Sequence, residues 1–185
     1  QDEYASAFGG LNLYKFTKNK VIVKPINLKK STEKELQDNS LLFRLGDREH
    51  SKGILQSQIK SINQSNQTTI LALHKAKELA IEMYDSLKEN DLTKFSDILN
   101  RGWEAKRNYT KGITNKRIEM ISKKAIENGA KALKVTGAGG GGHFFIYANP
   151  SKHNSIIKSL KKLGVNNVDF KYQNQGAKVF EINNL

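Results

Sequence analysis

Residues 132–148 read Ala132-Leu-Lys-Val135, Thr136, Gly137-Ala-Gly-Gly-Gly-Gly142 and His143-Phe-Phe-Ile-Tyr-Ala148. Two apolar runs of strand length thus flank a loop with five glycines in six positions. That spacing predicts a hairpin, and the loop is richer in glycine than packing alone requires. Glycine permits positive φ and close backbone approach, so the N–H groups of such a loop can converge on an anion. No Gly-Lys-Ser/Thr closes the loop, so it is not a P-loop. A strand follows it, whereas a dinucleotide fingerprint needs a helix there. Spacing alone leaves two readings open, an anion-binding turn and a plain flexible connection between strands.

Upstream, the periodicity becomes helical. Asn115 can cap a helix with Ile118, Ile121 and Ala125 inward and Gly129 as its stop. Asp91 can cap another, whose Phe95, Ile98, Leu99 and Trp103 share a face. Ile70, Leu73, Ala76, Ala80, Met83 and Leu87 predict a long helix over 68–88. Residues 50–63 form a further amphipathic stretch, with Ile54, Leu55 and Ile59 on one side. Nearer the start, Leu11-Asn-Leu-Tyr-Lys-Phe16, Val21-Ile-Val-Lys-Pro-Ile26 and Leu41-Leu-Phe-Arg-Leu45 read as strands. A helix end and the Gly9-Gly10 break precede the first, and Thr32 with Glu35 has capping-box spacing for a short helix. Downstream, Ser151 starts a basic helix that stops at Gly164, and residues 168–172 and 177–182 read as closing strands. The fold class is therefore α+β, an antiparallel sheet with helices packed on one face.

Composition narrows the chemistry. The chain has 185 residues, enough for one domain, or one domain and a piece of another. Lys and Arg number 31 against 18 Asp and Glu, a net charge of +13. That excess suits phosphorylated ligands, nucleic acid or an anionic surface. Cysteine is absent, which excludes disulfides, thiolate metal sites and cysteine nucleophiles and fits a reducing cytoplasm. No apolar run approaches the ~20 residues of a membrane span. The chain does not open with Met, and it is expected to be processed or to be a fragment.

Lys134-Val-Thr-Gly-Ala-Gly-Gly-Gly-Gly142, with a helix ending in Asn-Gly-Ala before it and an apolar strand after it, resembles the third motif of the GHMP kinases. Gln1-Asp-Glu-Tyr-Ala-Ser-Ala-Phe-Gly-Gly10 independently resembles the segment that carries the catalytic aspartate in their sugar-kinase branch. Within the superfamily, the chain is similar to the D-glycero-D-manno-heptose 7-phosphate kinase group. A Trp-x-x-Lys-(Lys/Arg) helix (Trp103 to Arg107) and a Gly-Ile-(Ser/Thr)-Asn turn (Gly112 to Asn115) are shared as well. Each motif is weak alone, but the ordered set of four is specific and covers nearly the whole chain.

The resemblance implies an ATP-dependent sugar-1-kinase that phosphorylates the anomeric hydroxyl of a heptose 7-phosphate. It implies a ferredoxin-like C-terminal domain over 17–185, with 1–16 ending the N-terminal domain. Asp2 would be the catalytic carboxylate that orients the sugar hydroxyl and accepts its proton. Gln1, Tyr4, Gly137, Gly139, Gly140, Gly141 and Gly142 would shape the substrate and phosphate end of the cleft. Arg48 and Lys106 are candidates for sugar or phosphate contact, and Arg101 and Arg117 read as solvated helix faces. His143 departs from the large apolar residue expected at its position and is left out of the site. The family's ATP loop, a Gly-Leu-Gly-Ser-Ser-type run opening a helix, has no counterpart in residues 1–185. The chain is therefore expected to be a C-terminal half, its partner half supplied by another chain or lost. ATP would bind mainly to that half, and Mg²⁺ would be held by phosphates there, with no metal ligands in this chain.

Two rivals remain open. One is another GHMP sugar kinase, for fucose, galactose or a uronic acid. The other, of a different class, is a basic α+β module that binds nucleic acid on its sheet. Aromatic residues make up only 8% of the chain, Phe144 and Tyr147 should face opposite ways, and no RNP-like motif occurs.

Overall fold

The computed structural model describes residues 1–46 and 51–180. In order, the elements are α1 (Asp2–Phe8), β1 (Leu11–Phe16), β2 (Val21–Ile26), α2 (Lys30–Asp38), β3 (Ser40–Gly46), α3 (Ser51–Asn63) and α4 (Gln67–Lys88). Then come α5 (Leu92–Arg107), α6 (Lys116–Glu127), β4 (Ala130–Val135), β5 (Gly142–Ala148), α7 (Pro150–Lys161) and β6 (Asn166–Val168). Among the described residues no helix is long and apolar enough to cross a membrane.

Four strands form an antiparallel sheet in the order β4-β5-β3-β6. With α6 before β4 and α7 before β6, this is the β-α-β-β-α-β order of a ferredoxin-like unit. The long crossover from β3 to β4 contains α3, α4 and α5 as well. Strand alternation assigns the faces. Phe43 and Phe144 sit opposite each other in the register and are both fully buried. They join Leu41, Leu45, Ile146 and Ala148 on the face covered by Ile118, Ile121 and Ala125 of α6 and Ile156 and Leu160 of α7. The opposite face carries Ala132 and Tyr147, which meet Leu36 of α2, Leu87 of α4, and Leu92 and Phe95 of α5. Tyr147 and Phe95 meet edge to face at 5.3 Å. Phe144 and Tyr147 do face opposite ways, and both are buried, which leaves neither ring for stacking a base.

Helix α5 closes the outer edge of β4. The Asn100 amide donates to the Lys131 carbonyl at 2.8 Å, and its oxygen accepts from the Leu133 N–H at 3.3 Å. Unpaired edge groups that would otherwise invite another strand are thereby satisfied. Strands β1 and β2 form a separate antiparallel pair, with Leu11 opposite Ile26.

Several details depart from the sequence expectations. Helix α2 starts after Lys29, and Thr32 lies inside it and is buried, so it is not a cap. Asn149, with Pro150 at the first helical position, opens α7 in place of Ser151. Only Ile54 of the expected α3 face is buried, while Leu55 and Ile59 are exposed. The strand expected over 168–172 lies earlier, as β6 at Asn166–Val168, and neither 169–172 nor 177–180 forms a strand (181–182 lie outside the described residues). Side chains of α2 hold this tail where a ladder was expected. The Gln37 carboxamide accepts from the Tyr172 N–H at 2.8 Å and donates to the Phe170 carbonyl at 3.3 Å.

Candidate active site

The glycine loop is built by its neck and its floor. At the neck, the Thr136 N–H and hydroxyl both donate to the His143 carbonyl, at 2.9 and 3.2 Å. The floor is Gly112-Ile113, just before α6. The Gly140 N–H donates to the Ile113 carbonyl at 2.8 Å. Gly139 has φ +105°, and a Cβ there would stand 3.0 Å from the Ile113 backbone. Gly140 has φ +72°, and its Cβ would press on the Ile54 side chain. Both positions need glycine for φ and for space.

Lys106 is buried, and its ammonium donates to the carbonyls of Val135, at 2.9 Å, and Gly137, at 2.5 Å. It therefore ties the last turn of α5 to the point where β4 becomes the loop. Beyond the loop, Asn115 caps α6 by accepting from the Ile118 N–H at 2.9 Å. A cleft of about 420 Å³ lies here, lined by Gly46, Asn115, Arg117, Gly140 and Gly141 among others. Arg117, read from sequence as a solvated face, borders this cleft. Its place two residues after the Asn115 cap was the available signal. Arg48 lies outside the described residues.

The other expected component is α1. Asp2 is exposed in its first turn, and Gln1 precedes it. Tyr4 is half-buried in an aromatic group with Phe8, Tyr14 and Phe16, at centroid distances of 5.4–6.4 Å. The Tyr14 hydroxyl donates to the Tyr4 carbonyl at 3.3 Å. Tyr4 thus anchors α1 on β1. The chain's tail anchors the other end: the Gly10 N–H donates to the Gln173 carbonyl at 2.8 Å.

Gln1 and Lys134 line one cavity of about 420 Å³, together with Gly102 and Tyr109. This cavity joins the α1 segment to the strand that feeds the glycine loop. Burial holds the Lys134 ammonium below its ordinary range and pushes the Tyr109 phenol above its own. Among the described residues, no group of three Asp, Glu or His side chains could hold a metal ion.

Residues 83–166, from α4 to the start of β6, match the family described as GHMP kinases C terminal. The chain carries a GHMP kinase C-terminal domain. Over 183 residues it is 33% identical to a D-glycero-alpha-D-manno-heptose 7-phosphate kinase of Campylobacter jejuni, a match that covers 98% of this chain and 53% of that one. A crystal structure of a D-glycero-D-manno-heptose 1-phosphate kinase from Bacteroides thetaiotaomicron superposes with a TM-score of 0.66 at 27% identity. That match covers 96% of this chain and 48% of the other. Leishmania major mevalonate kinase with R-mevalonate shares the fold, with a TM-score of 0.69 at 22% identity over 87% of this chain and 47% of that one. The chain spans about half the length of these relatives. The GHMP kinase match includes α5, α6 and the whole glycine loop, the elements that Lys106 and Ile113 tie together.

Proposed function

We propose that this chain supplies the C-terminal part of an ATP-dependent sugar-1-kinase whose substrate is a heptose 7-phosphate. The observation that carries the reading is the cavity shared by Gln1, which adjoins Asp2, and Lys134, which leads into the glycine loop. The heptose-phosphate kinases it resembles support the substrate class.

The chemistry asked of the chain is modest. A sugar hydroxyl is a weak nucleophile at neutral pH. Asp2, exposed at the start of α1, orients the anomeric O–H and accepts its proton as that oxygen bonds to the γ-phosphorus of ATP. The bond from that phosphorus to the bridging oxygen breaks, and ADP leaves. Catalysis of this kind is mostly positioning. Tyr4 and the tail hold α1, while Lys106 and Ile113 hold the glycine loop that shapes the phosphate end. We further propose that residues 1–16 close a preceding domain and that residues 17–185 form the C-terminal one. The β1–β2 pair then spans that boundary. ATP and Mg²⁺ enter with the preceding domain.

The test is ADP release by the full-length protein with heptose 7-phosphate, unphosphorylated heptose, fucose and galactose. Turnover with heptose 7-phosphate above the others is expected. Turnover with fucose or galactose alone would overturn the substrate, and turnover with none would overturn the kinase. Asp2→Asn should lower kcat by about 10²–10⁴ and leave the sugar KM within about twofold. Near-normal turnover would remove Asp2 from the role of base.

A further inference from the structure

Residues 108–115 run from α5 to α6 and supply the floor of the glycine loop. Ile113 is buried, its carbonyl accepts from the Gly140 N–H, and its backbone lies against Gly139 with no room for a Cβ between them. A shift of Ile113 must therefore move the loop. Before Ile113, hydroxyls hold this connection. Thr69 donates to the Tyr109 carbonyl at 2.9 Å, and the Ser57 and Thr110 hydroxyls share a hydrogen bond of 2.8 Å. After Ile113, a carboxylate holds it. One oxygen of Glu119 accepts from the Thr114 hydroxyl at 2.5 Å, and the other accepts from the Arg107 guanidinium at 2.6 Å. Thr114 adjoins Ile113. Arg107 adjoins Lys106, whose ammonium holds the entry to the loop. Glu119 thus ties the floor of the loop to the helix that also holds its rim.

Arg107 stands in the last turn of α5 and Glu119 in the first turn of α6. Helix-end electrostatics favour each charge where it stands. They do not require that the two charges meet, or that Thr114 join them. The two side chains are 29% and 39% exposed, and an ion pair this wet adds little to global stability. Arg107 would also keep other company without Glu119. It donates to Glu104 at 2.7 Å, and its guanidinium lies 5.9 Å from the centre of the Trp103 ring. Loss of Glu119 therefore strands no charge, and what is lost is the placement of Thr114.

We propose that Glu119 is a positioning residue for the glycine loop: by holding Thr114 against Arg107 it fixes Ile113, on which the loop rests. Its effect on turnover rests on the kinase reading. Its hold on the loop does not.

Two substitutions remove the hold without removing bulk. Thr114→Val deletes the hydroxyl. Glu119→Gln leaves one accepting oxygen where two donors arrive, because the amide nitrogen can only donate. In the full-length protein, residue-resolved amide exchange reads the loop directly. Either variant should speed exchange at the Gly140 N–H about tenfold or more and leave the β3–β5 ladder within about twofold of wild type, the pattern of a local opening. Thr114→Ser keeps the hydroxyl and should exchange as the wild type does. Unchanged Gly140 exchange in both variants would overturn the proposal. An equal rise along β3–β5 would overturn it too, since Glu119 would then be a general stabiliser.

ADP release with heptose 7-phosphate reads the consequence. Both variants should lower kcat about threefold to tenfold and leave the KM for ATP within about twofold, with recovery in Thr114→Ser. Faster Gly140 exchange with unchanged kcat would uphold the hold on the loop and overturn its part in turnover. A wild-type protein that releases no ADP would overturn the kinase reading and leave the exchange result standing.

Discussion

Gly9 and Gly176 cross with room for a side chain on neither. A Cβ on Gly9 would overlap the Gln175 carbonyl carbon and the Gly176 nitrogen, and a Cβ on Gly176 would overlap the Ala7 carbonyl. The next N–H, that of Ala177, donates to the Ser6 and Ala7 carbonyls at 3.1 and 3.2 Å. Those carbonyls are among the last of α1, which have no partner within the helix. Helix α1 has seven residues and buries none of them, too little to stand alone in water. The tail therefore completes the helix that bears Asp2.

Gly176→Ala should push the tail off α1. The expected loss of stability is about 1–2 kcal/mol, in the range of a local steric mutation. Limited proteolysis should cut within 173–180 sooner than in the wild type. If α1 positions the catalytic carboxylate, kcat should fall more than the sugar KM rises. Unchanged proteolysis and unchanged unfolding would mean that the crossing is not closed in solution.

Lys106→Met should cost on the order of 2–4 kcal/mol, because it leaves the Val135 and Gly137 carbonyls without their donor. Denaturant unfolding measures the loss. Lys106→Arg should restore little, since a planar guanidinium does not fit where a compact ammonium meets two converging carbonyls. A Lys106→Met protein of full stability would show that the ammonium does not hold the loop.

Two glycines should respond to alanine in opposite directions. Gly102 lies within α5 beside open space, so Gly102→Ala should stabilise by about 0.5–1 kcal/mol. Gly139→Ala meets the Ile113 backbone at a positive φ and should destabilise by about 1–3 kcal/mol. Paired thermal melts decide both signs.

Lys134 gives stability a pH dependence of known sign. Burial lowers its folded pKa below the ordinary lysine value of 10.5, so the unfolded chain binds more protons in the window between the two values. The penalty is fully present below the folded pKa and is relieved as pH rises towards 10.5. Tyr109, Tyr147 and Tyr172 act oppositely. Burial raises each above the ordinary tyrosine value of 10.0, so their contribution is lost as pH rises past it. The two effects overlap, and the comparison must be wild type against Lys134→Met. The variant should be the more stable at neutral pH, with the difference shrinking as the window is crossed. A constant difference would mean that Lys134 is not desolvated.

Alternation and glycine stops made most elements legible: β1 and β2 begin and end at the residues the sequence indicates. Asp91 and Asn115 cap as their spacing requires. The inward face of α4 was less legible. Ala72 and Leu79 are buried, whereas the expected Ala80 is exposed. This helix packs on α5, so its neighbour selects the buried face from several apolar positions. Thr69 and Ser86 carry no apolar signal in the sequence, yet both are buried and donate to the Tyr109 and Asp91 carbonyls at 2.9 and 2.7 Å. Small hydroxyls of this kind serve loop carbonyls whose positions no local pattern encodes. The same holds for Lys106, since a lysine in a helix's last turn gives no hint of where its ammonium ends. The alternation at 177–182 showed that one face could be buried, but alternation cannot supply a partner strand. Val179 and Phe180 are exposed.

The sheet order sets a schedule for folding. Strand β3 is central, yet Ser40 pairs with Tyr147, more than a hundred residues later in the chain. The β4–β5 hairpin can close quickly across its short glycine loop, but β3 must wait for it. During synthesis from the N-terminus, the Leu41-Leu-Phe43 run emerges long before its partner and stays unpaired while α3 to α6 are made. The interval makes this run a natural place for chaperone capture. It also predicts that slowing synthesis between β3 and β5 would aggregate the chain more than slowing it after β5.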